Sequence, residues 1–291
     1  MNKLFTGLCC LALLFTGTSF YAVPEPEWTP LLDKTLSKWQ IYQSFYHKLG
    51  YKGQAPKDEN GNLIKPIGFN LNKQNVFSVD MVDGKPVLHI TGEIYGCVFT
   101  RQDFKNYHLK LKYKWGTKKW VPRINEPKDS GLLFHSQGEL GVEYWRSWML
   151  SQEFQVIEHS TGDYWSQASS QADIRAVKDS SYKFDNANGK LTAFGGATGN
   201  GGFCQAGTDM DKPGQWNEIE LITYGDKSIH IVNGKVVMAI ANSRYKDGNV
   251  LKPLTHGKLQ LQSEAAEIYY KDVLIKPIKG IPAAYVGYFN Q

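Results

Sequence analysis

His108-Leu-Lys-Leu-Lys-Tyr-Lys-Trp115 alternates without a fault, with Leu109, Leu111, Tyr113 and Trp115 on one side and Lys110, Lys112 and Lys114 on the other. Successive side chains of an extended backbone point to opposite faces, so a period of two marks a half-buried strand. Similar runs recur at 86–91, 131–135, 218–224, 228–232, 236–240, 258–262 and 268–275. Asn233-Gly234 separates two of them, the strongest short signal for a two-residue hairpin. Neither a long amphipathic helical pattern nor a low-complexity linker interrupts the series. The expectation is an all-β chain, a two-sheet antiparallel sandwich forming one domain over 23–291.

The first 22 residues read differently. Lys3 precedes a short apolar run from Leu4 to Phe15, the pattern of an export signal that is too short to span a bilayer. The expected mature chain is periplasmic or secreted, with no transmembrane segment and no lipid anchor. It retains two cysteines, Cys97 and Cys204, so one disulfide and two buried free thiols are both open. A formal charge of +5 without a basic cluster interleaved with aromatics does not point to nucleic acid. The Lys110, Lys112, Lys114 row reads as a solvated face. The seven histidines are scattered, which argues against structural zinc.

Chemistry concentrates in Ser151-Gln-Glu-Phe-Gln-Val-Ile-Glu-His-Ser-Thr-Gly-Asp-Tyr-Trp165. Glu153 and Gln155 share one strand face, and Phe154 and Val156 supply the apolar one. Glu158 breaks this alternation, and reaches the polar face only through a bulge or a strand end. Eight Trp and sixteen Tyr exceed the needs of a core, and Trp120, Tyr144, Trp145, Trp148, Tyr164 and Trp165 fall beside polar groups. Such rings stack on the C–H faces of sugars, whose hydroxyls take carboxylates, amides and histidine. Packing accounts for the same rings equally well.

Trp28-Thr-Pro-Leu-Leu-Asp33, Phe99-Thr-Arg101, Asp103-Phe-Lys-Asn-Tyr-His108, Asp129-Ser-Gly-Leu-Leu-Phe-His135, Ser151-Gln-Glu-Phe-Gln155, Thr161-Gly-Asp-Tyr-Trp165, Gly214-Gln-Trp-Asn217 and Gly257-Lys-Leu-Gln-Leu-Gln-Ser-Glu264 follow one another in a familiar order. In that order and spacing the chain resembles the 3-keto-disaccharide hydrolase family. The resemblance implies a concanavalin A-like jelly roll of the lectin and glucanase type. It also implies that Arg101, His135, Glu153, Gln155, Glu158 and Asp163 border a concave sugar-binding face. Where many members carry Asp-His-Gly, this chain has Ser263-Glu264-Ala265. A long insertion over 43–73 is placed to cover one rim of the cleft.

Two chemistries suit the stretch. Glu153-Phe-Gln-Val-Ile-Glu158 is similar to the laminarinase-type Glu-x-Asp-x-x-Glu pattern, with Gln155 in place of the middle Asp, and retaining hydrolysis needs two carboxyls about 5 Å apart. The family name implies the other route, in which a C3 ketone acidifies the C2 proton so that a base can expel the C1 substituent. Glu153 or His135 is the expected base, Glu158 or Asp163 the acid, and Arg101 or Gln155 the enolate donor. Trp148, Tyr164 and Trp165 are expected to contact the oligosaccharide or 3-keto-glycoside. A divalent cation such as calcium on Glu153, Glu158 or Asp163 is an alternative to Arg101, and His159 is a weaker candidate. A lectin-like binding module remains the non-enzymatic reading.

Overall fold

The computed structural model describes residues 26–46, 56–141, 147–196 and 198–290. The expected export signal over 1–22, Tyr144, Trp145 and part of the 43–73 insertion lie outside them. Among the described residues no helix is long and apolar enough to cross a membrane.

Tyr107–Lys119 forms as its alternation requires. Leu109, Leu111 and Tyr113 are buried, and the strand pairs antiparallel with Asn217–Tyr224 on one side and Ala266–Pro277 on the other. These three sit in the middle of a sheet that counts twelve strands among the described residues. It extends through Lys227–Val232, Lys235–Asp247 and Ser170–Lys178 on one side, and through Lys85–Ile90 and Phe77–Val82 on the other. The hairpin at Asn233-Gly234 is present, with φ of 48° and 80° at its two residues. Both are left-handed, which is what a two-residue turn matching the strand twist needs.

Among the described residues the second sheet has eight strands in the order Phe203–Cys204, Tyr164–Gln167, Leu150–Ile157, Asp129–Gln137, Lys258–Ser263, Ile94–Thr100, Trp39–Tyr46 and Gly68–Phe69. Its inner face presents Leu132, Phe134, Phe154, Val156, Val98 and Leu261 to the first sheet. Each such side chain contributes about 1.5–3 kcal/mol on burial, which is why two amphipathic sheets close face to face. The two-sheet antiparallel sandwich expected from the alternation is therefore the observed fold. The outer face carries a second, smaller apolar group that includes Tyr42, Cys97, Phe99, Leu133 and Trp148. Cys97 lies in that outer group and Cys204 in the core between the sheets, so both are free thiols on opposite sides of one sheet.

Two histidines belong to this core. His230 stacks on Phe154 with ring centroids 4.1 Å apart, and its Nδ1 donates to the Gly162 carbonyl at 3.0 Å. His135, at φ 53°, sits in an irregularity of Asp129–Gln137 that turns its ring toward Tyr107, with Nδ1 donating to the Leu254 carbonyl at 3.0 Å. Burial lowers both imidazoles to about 3. A histidine that is neutral when folded and protonated when unfolded stabilises the fold above its unfolded value of about 6.5, and that stability is lost as pH falls below it. His230→Phe keeps the ring stacking and removes the titration. Its unfolding free energy should be about 1 kcal/mol lower at pH 7, and its slope against pH between 6 and 4 should be shallower by about 1.4 kcal/mol per pH unit. Denaturant titrations of both proteins at a series of pH values measure that difference, and parallel slopes would disprove the assignment.

Candidate active site

Leu150–Ile157 runs in register with Asp129–Gln137, Leu133 opposite Glu153 and Gly131 opposite Gln155, while on its other edge Trp165 lies opposite Glu153. Directly opposite residues share a face, so Glu153, Gln155, Gly131 and Trp165 all point away from the core. An isolated bridge between Asp129 and Glu264 brings those two carboxylates to the same side. The loop after Tyr107–Lys119 adds Arg123, and Trp148 enters just before Leu150–Ile157. Together with Gln167 they enclose a cleft of about 130 Å³.

The polar groups in this cleft are tied to one another. Arg123 Nη2 contacts Asp129 Oδ2 and donates to Glu264 Oε1 at 3.1 Å. Gln155 Nε2 donates to Asp129 Oδ1 at 2.6 Å, and Gln167 Nε2 donates to Glu153 Oε2. Asp129 and Glu153 are each only 2% exposed. Burial, followed by the Glu264 charge, holds Asp129 well above the usual carboxylate range, against the pull of Arg123 and with a further push from Glu153. Burial lowers Arg123, but Glu264 and Asp129 outweigh it and leave the guanidinium above its ordinary value. The cluster thus holds a permanent cation, a carboxyl disposed to keep its proton, and further carboxylates beside it.

Of the residues expected from the sequence, Glu153, Gln155, Trp148 and Trp165 meet here, and the others do not. Leu150–Ile157 ends before Glu158, without the bulge that would have turned it back. Its carboxylate instead accepts from Lys128 N at 2.9 Å and Lys128 Nζ at 2.8 Å. Burial pulls that carboxyl up, but the Lys128 donors outweigh it and hold it low. His135 is turned to the core as described. Asp163 closes the turn after the strand, accepting from Ser160 Oγ at 2.8 Å and Ala206 N at 2.6 Å, and burial lifts it to about 7. Arg101 is exposed just past the end of Ile94–Thr100, its Nε donating to the Ser37 carbonyl at 3.0 Å. Tyr164 is fully buried between the sheets, its hydroxyl donating to Gln152 Oε1 at 2.6 Å. His159 is largely exposed beside Asp209. With Glu153, Glu158 and Asp163 apart, the three form no common ligand set for a divalent cation, and among the described residues no group of three His, Cys, Asp or Glu is arranged to hold one.

Arg123, Asp129, Gln167 and Glu264 are cleft residues that the sequence reading did not single out. Asp129 was within reach of it. Asp129, Gly131 and Leu133 alternate with the core residues Ser130, Leu132 and Phe134, so an acid at that position faces the same way as Glu153. Glu264 stands where many members of the resembled family carry histidine, and that departure falls inside the cleft. Arg123 lies in a loop, held by Trp120 N to the Ala265 carbonyl at 2.9 Å, and no periodicity reaches it.

Gly131 makes the packing possible. A Cβ there would lie 2.3 Å from Glu153 Oε1 and 2.3 Å from Gln262 Oε1, both ends of movable side chains. Gly131→Ala should therefore fold, with unfolding free energy within about 1.5 kcal/mol of the parent, because strand propensity gained offsets part of the overpacking. The same change should push Glu153 off the Gln167 amide. Denaturation reads the first effect and a crystal structure of the variant reads the second.

None of the curated proteins matches the chain. Among solved structures, a candidate glycosyl hydrolase from Parabacteroides distasonis is 18% identical, with 87% of this chain and 100% of that one covered and a TM-score of 0.45. A protein of unknown function with a galectin-like fold from Bacillus subtilis is 12% identical, with 88% and 98% covered and a TM-score of 0.45. The alginate lyase AlyC3 is 13% identical, with 82% and 90% covered and a TM-score of 0.42. Residues 27–276, which span both sheets and every residue of the cleft, match the 3-keto-alpha-glucoside-1,2-lyase-like domain, and the chain belongs to that family.

Proposed function

We propose that the protein is an exported carbohydrate-active enzyme that cleaves a glycosidic bond in a 3-keto-glycoside, with Glu153 as the base and Asp129 as the proton donor. The observation that carries this reading is the gathering of Asp129 and Glu264 on a single guanidinium, Arg123, with Glu153 in the same cleft between Trp148 and Trp165. Two carboxylates about 5 Å apart repel by roughly 3 kcal/mol at an effective dielectric of about 20, or about two pKa units. Such repulsion favours a proton on one carboxyl of the cleft. Asp129 is the one for which burial and two acidic neighbours favour it. An acid and a base pushed apart in this way are the pair that elimination needs.

In this reading the labour is divided. Glu153, held through one oxygen by Gln167, takes the C2 proton next to the ketone. The C2–H electron pair passes through the enolate to form the C1=C2 double bond, the C1–O bond breaks with its pair leaving on oxygen, and Asp129 gives its proton to that departing oxygen. Arg123 donates to the oxygen of the developing enolate, in place of the Arg101 expected from sequence. Trp148 and Trp165 flank the ring, and Phe203 supports Trp165 with centroids 4.8 Å apart. Water then adds to the unsaturated sugar.

Glu153→Gln is close in shape and cannot accept a proton at neutral pH, so turnover of a 3-keto-disaccharide should fall at least about 100-fold while affinity stays within a few-fold. In heavy water, wild-type enzyme sampled early and compared with enzyme-free sugar should place deuterium at C2 of the released 3-keto sugar. Retention of the original C2 hydrogen would return direct displacement at C1 to first place. Absence of turnover on keto and ordinary glycosides, with binding retained, would make the protein a lectin-like module.

Asp129→Asn tests the acid separately. It should slow release of a sugar alkoxide by about 100-fold or more, and slow release of a nitrophenolate, which needs no protonation, far less. Equal losses on the two leaving groups would exclude Asp129 as the proton donor.

A further inference from the structure

Gln262 is 1% exposed, and both polar atoms of its amide, Oε1 and Nε2, are buried without a hydrogen-bond partner. An unpaired buried amide costs about 1–3 kcal/mol, so its presence requires a reason. It rises from Lys258–Ser263 opposite Cys97, on the face that carries the cleft, and its amide lies over Gly131. There Gln262 Oε1 and Glu153 Oε1 each come within 2.3 Å of the point that a Cβ of residue 131 would occupy. The two oxygens therefore lie close together beside the space left by the missing side chain. Two acceptors opposed in a dry site repel. Amide oxygen and nitrogen have nearly the same shape, and a half turn about the last side-chain bond exchanges them. The half turn replaces that repulsion with a charge-assisted hydrogen bond.

We propose that Gln262 is the positioning residue of Glu153, its amide N–H donating to the Glu153 carboxylate through the gap over Gly131. With Gln167 on the other oxygen, the carboxylate is gripped from both ends, so that it stays ionised and aimed into the cleft. The inference rests on the reading of Glu153 as the base. Among the described residues the charged groups that line the cleft with Glu153 are Asp129 on the neighbouring strand, Glu264 after Lys258–Ser263, and Arg123. The Tyr270 hydroxyl, which shares a hydrogen bond of 2.9 Å with Ser130 Oγ, feels the Glu153 charge from beneath. A donor from Gln262 favours the ionised form of Glu153, because a hydrogen bond to the charged form lowers a carboxyl pKa.

Gln262→Met keeps the length and volume of the side chain and removes the donor. The carbon-13 carboxyl titration of Glu153, assigned by comparison with Glu153→Gln, should move upward by about one pH unit in this variant. The acidic limb of the kcat profile on a 3-keto-disaccharide should move up with it, kcat should fall about 10-fold through lost aim, and KM should stay within about threefold. Should the Met variant fail to fold, Gln262→Asn, which draws the amide back by one methylene, should give the same upward shift. An unmoved titration overturns the proposal. A downward shift also overturns it, since Glu153 would then be the proton-bearing partner that donates to Gln262. A raised titration with no wild-type turnover on any glycoside leaves the Gln262 assignment standing and removes the functional reading, whereas turnover with an unmoved titration does the reverse.

Discussion

A slip of one residue between Leu150–Ile157 and Asp129–Gln137 would turn Glu153 and Gln155 into the core and Phe154 and Val156 out of it. Burying a carboxylate without partners costs several kcal/mol, and exposing two large apolar side chains forfeits about 1.5–3 kcal/mol each. The register is therefore fixed by the difference between the two faces of one strand. Everything at the cleft inherits it. Gly131 comes opposite Gln155, which opens the space that Glu153 and Gln262 share, and Trp165 comes opposite Glu153 on the other edge. On the other edge of Asp129–Gln137, the bridge between Asp129 and Glu264 extends its pairing with Lys258–Ser263 and brings the two carboxylates together on Arg123.

The opposite sheet meets the same constraint with different chemistry. The outward row Lys110, Lys112 and Lys114 is not merely solvated. Lys110 Nζ lies 4.4 Å from the Trp28 ring centroid, and Lys271 Nζ lies 4.1 Å from that of Trp216. Lys112 pairs with Asp272 at 3.4 Å. Two of the aromatic residues that exceed the needs of the core are thus used as platforms for ammonium groups on the outer face. His108 completes the pattern, bound to Glu220 at 2.7 Å and edge-on to Trp28.

What the sequence disclosed follows from how far each signal reaches. Period-two alternation reports the face of every residue inside a regular strand, so the sandwich, the Asn233-Gly234 hairpin and the outward aim of Glu153 and Gln155 were all legible. It fails where regularity fails. Glu158 lies one residue past the strand end, where the chain is already turning and Lys128 captures it. His135 sits in an irregularity that alternation does not foresee. Tyr164 and Trp165 are neighbours and must face opposite ways, so only one of them could line the cleft. Arg123 took the place expected of Arg101 because a loop, rather than a strand, delivers it, and loop position depends on contacts such as Trp120 to Ala265 that have no local signature.

The charge balance of the cleft bears on why a proton transfer there is feasible at all. A buried cluster tolerates few changes in net charge, because each uncompensated charge in a poorly solvated site costs several kcal/mol. In the elimination proposed here Glu153 gains a proton as Asp129 loses one, so the number of protons held by the three carboxyls is the same before and after the step. Only their position changes. Arg123, which touches Asp129 and Glu264, stands beside the carboxyl that becomes charged as the leaving group departs. It therefore stabilises the cluster more strongly late in the reaction than early, which is the condition under which a fixed cation lowers a barrier rather than only tightening binding.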